Sequence, residues 1–295
     1  MNDHDDAAAQ AEALHGQACE LADADAQLAL LERALQLDPG RASTHYDIGL
    51  IHKYRGAWPL SLRHNRRAAE LRPGDEATNW NLAIAATALR DWPTARAAWA
   101  RLGIPIAPGD GAIDEDFGIT PVRLAPDADA EVVWGRRIDP VRVRIENIPF
   151  PESGYRCGDV VLHDGAPAGE RSHRGQTYAV FDVLELFERS TEGTFEAEIR
   201  AADQHELDAL VAALDRAEVH HENWTTNVRM LCRQCSLGLP HEHHDQAGER
   251  AWPDSHVIAV SATDPAPAAH AFARWADGGD RLLRFETKLA PSPQH

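Results

Sequence analysis

The segment with the most chemistry in it runs from Cys232-x-x-Cys235 through Gly238 and Pro240 to His241, His243, His244 and Asp245. Two thiolates separated by two residues can grip one ion, because the intervening turn points both sulfurs inward. Gly238 and Pro240 supply the chain reversal that a second pair of ligands needs. Zinc accepts this mixture of sulfur and imidazole nitrogen tetrahedrally. The spacing is shorter than in ordinary zinc fingers, so a compact zinc knuckle is expected. His220 and His221 lie upstream and could compete for a ligand position. Catalytic zinc keeps three protein ligands and an open position. Here more candidates than that crowd one segment, which favours a closed, structural site. Glu242 and Asp245 would be the carboxylates available if the site were catalytic. A redox dithiol needs its first cysteine at a helix N-terminus, and the run after Cys235 is turn-like. Haem attachment needs histidine directly after the second cysteine, where Ser236 stands. An unmetallated loop with extra histidines is the bland alternative.

Elsewhere chemistry is sparse. Cys19 and Cys157 are expected to be single, buried thiols. No G-x-S-x-G, P-loop or G-x-G-x-x-G is present, so no catalytic set is identified. The formal net charge is -18 over 295 residues. Residues 1–109 hold 11 Lys/Arg and 14 Asp/Glu, leaving 18 and 33 for the rest. Such an acidic chain is a poor general binder of nucleic acid, which requires phosphate neutralisation. No run of about 18 apolar residues predicts a membrane span, and the acidic start lacks the pattern of a secretory signal. A cytoplasmic protein is expected.

The elements that would carry a binding surface are announced by a repeat. Pro39 and Pro73 are 34 residues apart, and Trp58-Pro59 returns as Trp92-Pro93 at the same interval. Leu37-Asp38-Pro39-Gly40 and Leu71-Arg72-Pro73-Gly74 match in register. Repeats therefore fall at about 8–41, 42–75 and 76–109. Within these repeats small residues stand at Gly49, Ser61, Ala68, Ala34, Ala83 and Ala95, and larger ones at Leu14, Leu31, Ile48, Leu82, Trp99 and Leu102. The proline stops the second helix, since it cannot donate the backbone hydrogen bond.

These positions resemble the tetratricopeptide repeat family. His45, His52 and Asn65 depart from it, standing where that family has tryptophan, tyrosine and phenylalanine. The third repeat displaces its closing proline to Pro105 or Pro108. The resemblance implies an α-solenoid of three helix-turn-helix repeats with a groove lined by the first helix of each. The corresponding positions are Tyr46, Leu50, Lys53, Trp80, Asn81 and Ile84. A peptide or protein partner is implied. Tyr46, Leu50, Trp80 and Ile84 replace the lysine and asparagine of a carboxylate clamp, so apolar or aromatic contacts are expected instead. An alternative is that the chain's own later domains fill the groove. Arg63, Arg66, Arg67 and Arg72 form a basic cluster, read as a solvated face or as a dock for the acidic remainder.

Composition changes at residues 105–111. Spans 131–134, 141–145, 159–163 and 177–181 have strand character with Gly and Pro between them. Four or five short strands suggest a small SH3-like or OB-like barrel. No aromatic, basic strand face is evident. Beyond it, a strand at 195–200, an amphipathic helix at 203–216 and a strand at 219–224 are followed by a second set at 256–261, 265–275 and 282–289. Two β-α-β units in succession predict a ferredoxin-like split sheet, with the cysteine–histidine segment inserted between the halves.

The expected architecture is a multidomain mixture of α and α/β: helical repeats over 1–109, a β-rich middle over 110–193, and an α+β domain with the knuckle over 194–295. The expected function is a protein–protein adaptor with a structural zinc site. The alternatives are a zinc-dependent hydrolase and a nucleic-acid or ribosome-associated factor.

Overall fold

The structure, a computed structural model, describes residues 3–126, 131–225 and 252–293. Helices come first and a sheet-rich region follows, making a mixed α/β chain. It divides into two compact units, Met1–Glu115 and Asp116–His295.

The first unit holds α1 (Asp3–Cys19), α2 (Ala24–Leu37), α3 (Ala42–Tyr54), α4 (Trp58–Leu71), α5 (Glu76–Ala88) and α6 (Trp92–Arg101). Successive helices pack on one another, and α3 also touches α5. The starts of α2, α4 and α6 fall at 24, 58 and 92, and those of α3 and α5 at 42 and 76. The 34-residue period of the sequence is thus a period of helices. The local reasons are visible at the ends. The Asp23, Asp75 and Asp91 carboxylates accept from the amides of Ala26, Thr78 and Thr94, capping α2, α5 and α6. The Trp-Pro pairs place proline in the first turn of α4 and α6, where its missing N–H is no loss.

The pair α3–α4 shows what the small residues do. Ser61 Oγ donates to the Gly49 carbonyl at 2.8 Å, and Asn65 donates to the Ser61 carbonyl at 3.0 Å. A Cβ built on Gly49 would meet the Asn65 side chain at 2.6 Å. Gly49 therefore lets α4 approach, and Asn65, which departs from the family pattern, fills the notch. His45 and His52 flank the buried His64, with ring centroids 5.2 and 6.1 Å from it. Three imidazoles thus stand together between α3 and α4.

In the second unit, β1 (Ile119–Leu124), β2 (Glu131–Arg137), β3 (Arg142–Ile145), β4 (Val160–His173) and β5 (Gln176–Glu188) close into a barrel. Neighbours are antiparallel except β1 with β5, which pair parallel through Val122 and Phe181. Alternating Val122, Leu124, Val133, Val143, Ile145, Val161 and Val183 fill the interior. Strand β1 was not singled out in the sequence, because Pro121 and Arg123 interrupt its apolar alternation. Pro121 sits opposite Trp134 in the antiparallel ladder with β2.

After the barrel come β6 (Gly193–Ile199), α7 (Gln204–Arg216), β7 (His220–Asn223), β8 (His256–Ala262), α8 (Ala266–Ala276) and β9 (Leu282–Leu289). The strands lie in the order β7-β8-β6-β9, each pair antiparallel. Phe195, Ala197 and Ile199 of β6 and Ile258 and Val260 of β8 form one core with Leu207, Leu210 and Leu214 of α7 and Phe272 of α8. The intervening residues of β6 point the other way, where Glu196 and Glu198 meet Arg284, and Glu196 also meets Lys288.

Barrel and sheet are joined within this unit. Ile148, Cys157, Trp224 and Ala259 form a shared core, with Phe150 beside it. Glu222 accepts from the Asn147 side chain at 2.8 Å and from the Ile148 amide at 3.1 Å, while Trp224 Nε1 donates to the Ile148 carbonyl at 3.2 Å. Among the described residues, no helix is long and apolar enough to cross a membrane.

Candidate functional site

Of the expected groove residues, Tyr46 and Leu50 on α3 and Trp80 on α5 keep part of their surface accessible, whereas Lys53, Asn81 and Ile84 are buried. Lys53 Nζ donates to Asn81 Oδ1 at 3.1 Å and lies 4.5 Å from the Tyr54 ring centre. This bond ties α3 to α5, since a buried ammonium needs an acceptor. Trp80 meets Trp99 edge to face at 4.9 Å. Tyr46 lines a cleft of about 200 Å³ with Ser43, Arg72, Asp75, Ala77 and Thr78, between the first turns of α3 and α5. The cleft offers an aromatic ring, one guanidinium and one carboxylate.

The basic cluster on α4 is largely neutralised within its own unit. Arg66 pairs with Asp91 at 3.2 Å and Arg67 with Glu70 at 3.1 Å. Arg63 donates to His64 Nε2 at 3.1 Å. Arg72 is the member that reaches the cleft.

Cys232, Cys235, His241, His243 and His244 lie outside the described residues. The two upstream histidines are described and have other partners. His221 Nδ1 donates to the Val219 carbonyl at 2.9 Å. His220 Nδ1 is 3.2 Å from Cys157 Sγ. That contact has the composition of a cysteine–histidine nucleophile pair, but its electrostatics are opposite. Burial, with Glu192, Glu222 and Glu146 nearby, pushes the Cys157 thiol up to about 12. A reactive cysteine needs a depressed pKa, so Cys157 is a packed structural thiol, with the Glu146 carbonyl 3.5 Å from its sulfur.

Cys19 differs from the expectation that it is buried: it is exposed at the end of α1. Its sulfur is 3.8 Å from His15 Nε2, one turn earlier, and His15 Nε2 is 3.4 Å from Asp47 Oδ2 on α3. Desolvation raises both the Cys19 thiol and the Asp47 carboxyl, and each senses further charges nearby. The sequence carried half of this signal, in the four-residue spacing of His15 and Cys19 on one helix face. Asp47 could be added only once α3 was placed against α1.

A second group was missed in the barrel. Trp134 of β2 meets Tyr178 of β5 edge to face at 5.1 Å and His173 at 5.2 Å, with Arg171 5.8 Å from its ring centre. Strand pairing assembles an aromatic and basic patch from residues more than thirty positions apart, a face not evident in the sequence. Finally, a groove of about 460 Å³ runs between α7 and α8, with Ala209, Ala213, Arg216, His270, Arg274 and Trp275 among its lining.

No family model matches the chain, and no curated protein is similar to it. Among solved structures, an O-GlcNAc transferase mutant from Thermobaculum terrenum is similar over 32% of this chain, at 26% identity and a TM-score of 0.30. The chain covers only 19% of that protein's length. A hypothetical protein from Neisseria gonorrhoeae is similar over 60% of this chain and 96% of its own, at 12% identity and a TM-score of 0.27. At these TM-scores neither likeness assigns a family or a fold.

Proposed function

We propose that the protein is an adaptor whose helical unit is a three-repeat tetratricopeptide solenoid that holds a peptide or protein segment. The observation that carries this reading is the coincidence of the 34-residue sequence period with helix starts at 24, 58 and 92. One helix pair cannot bury its own apolar face, so three stacked pairs are about the minimum array. Tyr46, Leu50 and Trp80 are the groove positions with accessible surface and would make the contacts. Lys53, Asn81 and Ile84 would hold the backbone that presents them. The βαββαβ order with strands β7-β8-β6-β9 supports a ferredoxin-like reading of the C-terminal sheet. The insertion point between β7 and β8 carries Cys232, Cys235 and the three histidines, which we assign to a structural zinc knuckle on ligand chemistry.

The test is affinity capture with crosslinking by the full-length chain and by Tyr46→Ala, Leu50→Ser and Trp80→Ala variants. A defined partner recovered by the parent chain and lost in Tyr46→Ala, with unchanged helical circular dichroism, is expected. A partner retained equally by all three variants overturns the groove assignment.

One observation favours a second reading. The Trp134, Tyr178 and Arg171 patch could stack a single-stranded base in the manner of small barrels. It requires oligonucleotide binding that weakens steeply with salt and is lost in Trp134→Ala.

A further inference from the structure

We propose that His15, Cys19 and Asp47 form a second metal site, in the helical unit, that binds one divalent ion of the zinc class between α1 and α3. The three ligand atoms, an imidazole nitrogen, a sulfur and a carboxylate oxygen, all lie within 4.8 Å of one another. Two donors on one tetrahedral zinc, at about 2.0 Å for nitrogen or oxygen and about 2.3 Å for sulfur, stand about 3.3–3.5 Å apart. The observed separations are 3.4 Å from His15 Nε2 to Asp47 Oδ2 and 3.8 Å from His15 Nε2 to Cys19 Sγ. The third pair, the Cys19 sulfur and the Asp47 carboxylate, lies within 4.8 Å, and rotation of the exposed Cys19 side chain towards the carboxylate would close the set around an ion.

The imidazole is already oriented. His15 Nδ1 lies 3.1 Å from Thr44 Oγ1 on α3. Donation from Nδ1–H to that hydroxyl leaves the lone pair on Nε2, the atom that faces the sulfur and the carboxylate. Metal-bound histidines characteristically donate their other ring N–H to an acceptor in this way. Charge also balances. On binding, the Cys19 S–H bond breaks, its proton goes to solvent and the thiolate takes the ion. Thiolate and carboxylate together then offset the two positive charges. Arg41, the neighbouring cation, is held in an ion pair with Glu12. Cys19 is exposed, which gives the ion an entry path and leaves the fourth position open to water.

The site would join the first helices of the first two pairs, α1 and α3, beside the His15–Thr44 contact and the Arg41–Glu12 ion pair. It is chemically separate from the Cys232 and Cys235 segment, and the test must keep the two apart. The full-length Cys232→Ser/Cys235→Ser chain, stripped with a chelator, is titrated with Co²⁺ alone and then with Zn²⁺. The expected result is saturation at one equivalent of Co²⁺ with a sulfur-to-cobalt charge-transfer band, bleached by Zn²⁺. Cys19→Ser in the same background abolishes the band, and Asp47→Asn weakens binding at least about tenfold. Cys19 is exposed, so its replacement leaves the fold intact, and circular dichroism verifies this. Absence of the band at one equivalent, or a band that survives Cys19→Ser, overturns the proposal.

Discussion

His64 stands in a chain of hydrogen bonds whose direction is fixed at both ends. Arg63 can only donate, so His64 Nε2 must accept at 3.1 Å. The proton then sits on Nδ1 and is given to His45 Nδ1, also at 3.1 Å. His45 must in turn carry its proton on Nε2, which donates to the Pro39 carbonyl at 3.2 Å. Both imidazoles are neutral, and these tautomers are assigned from their partners. A second proton on His64 would aim an N–H at the Arg63 guanidinium. Burial, with His45, Arg63 and His52 around it, lowers the His64 pKa from 6.5 to about 4. Because the folded value is depressed, the unfolded chain binds the proton more readily. Stability is therefore full above the unfolded value and is lost as pH falls from about 6.5 towards 4. Linkage between these two values gives a loss of about 2 kcal/mol from His64 alone between pH 7 and pH 5. The assay is hydrogen exchange of α4 amides, corrected for intrinsic rates, in the parent and in His64→Gln. Glutamine can accept from Arg63 and donate to His45 without titrating. The parent should lose about 2 kcal/mol more opening free energy than the variant over this interval. An equal loss in both would refute the assignment of the acid sensitivity to this chain of imidazoles.

Further outcomes follow from other sites. Gly49→Ala places a methyl against Asn65 at 2.6 Å and should destabilise the helical unit by about 1–3 kcal/mol in thermal or urea unfolding. Asp139→Ala in the barrel leaves Arg142 buried without the carboxylate that accepts from it at 2.6 Å, and should cost about 3–5 kcal/mol by the same measurement. In a Cys232→Ser/Cys235→Ser background, a bulky maleimide should modify exposed Cys19 in the native protein and reach buried Cys157 only after denaturation. Zinc content of the parent chain should fall by about one equivalent in that double variant, measured by elemental analysis, if the cysteines form the knuckle.

What could be read from the chain alone was whatever depends on neighbours in sequence. The 34-residue spacing of Trp58-Pro59 and Trp92-Pro93 located helices within a few residues, because caps and prolines act over a single turn. The strand alternation at 195–200 and the apolar stripe of 203–216 were legible for the same reason. Strand β1 was not, since Pro121 breaks the pattern and only its pairing with β2 and β5 makes it a strand.

Tertiary structure decided everything that rests on distant partners. It put Asp47 beside His15 and Cys19, gathered Trp134, Tyr178 and Arg171 on one barrel face, and buried Lys53 on Asn81. It also set the character of the two described thiols, both expected to be buried: Cys157 is, and Cys19 is not. Cys19 is exposed at a helix end, while Cys157 is enclosed between barrel and sheet with its pKa pushed to about 12. Spacing records which residues can share a helix face or a strand face, but solvent access and electrostatic surroundings belong to the packed whole. A thiol or an imidazole takes its chemistry from those surroundings.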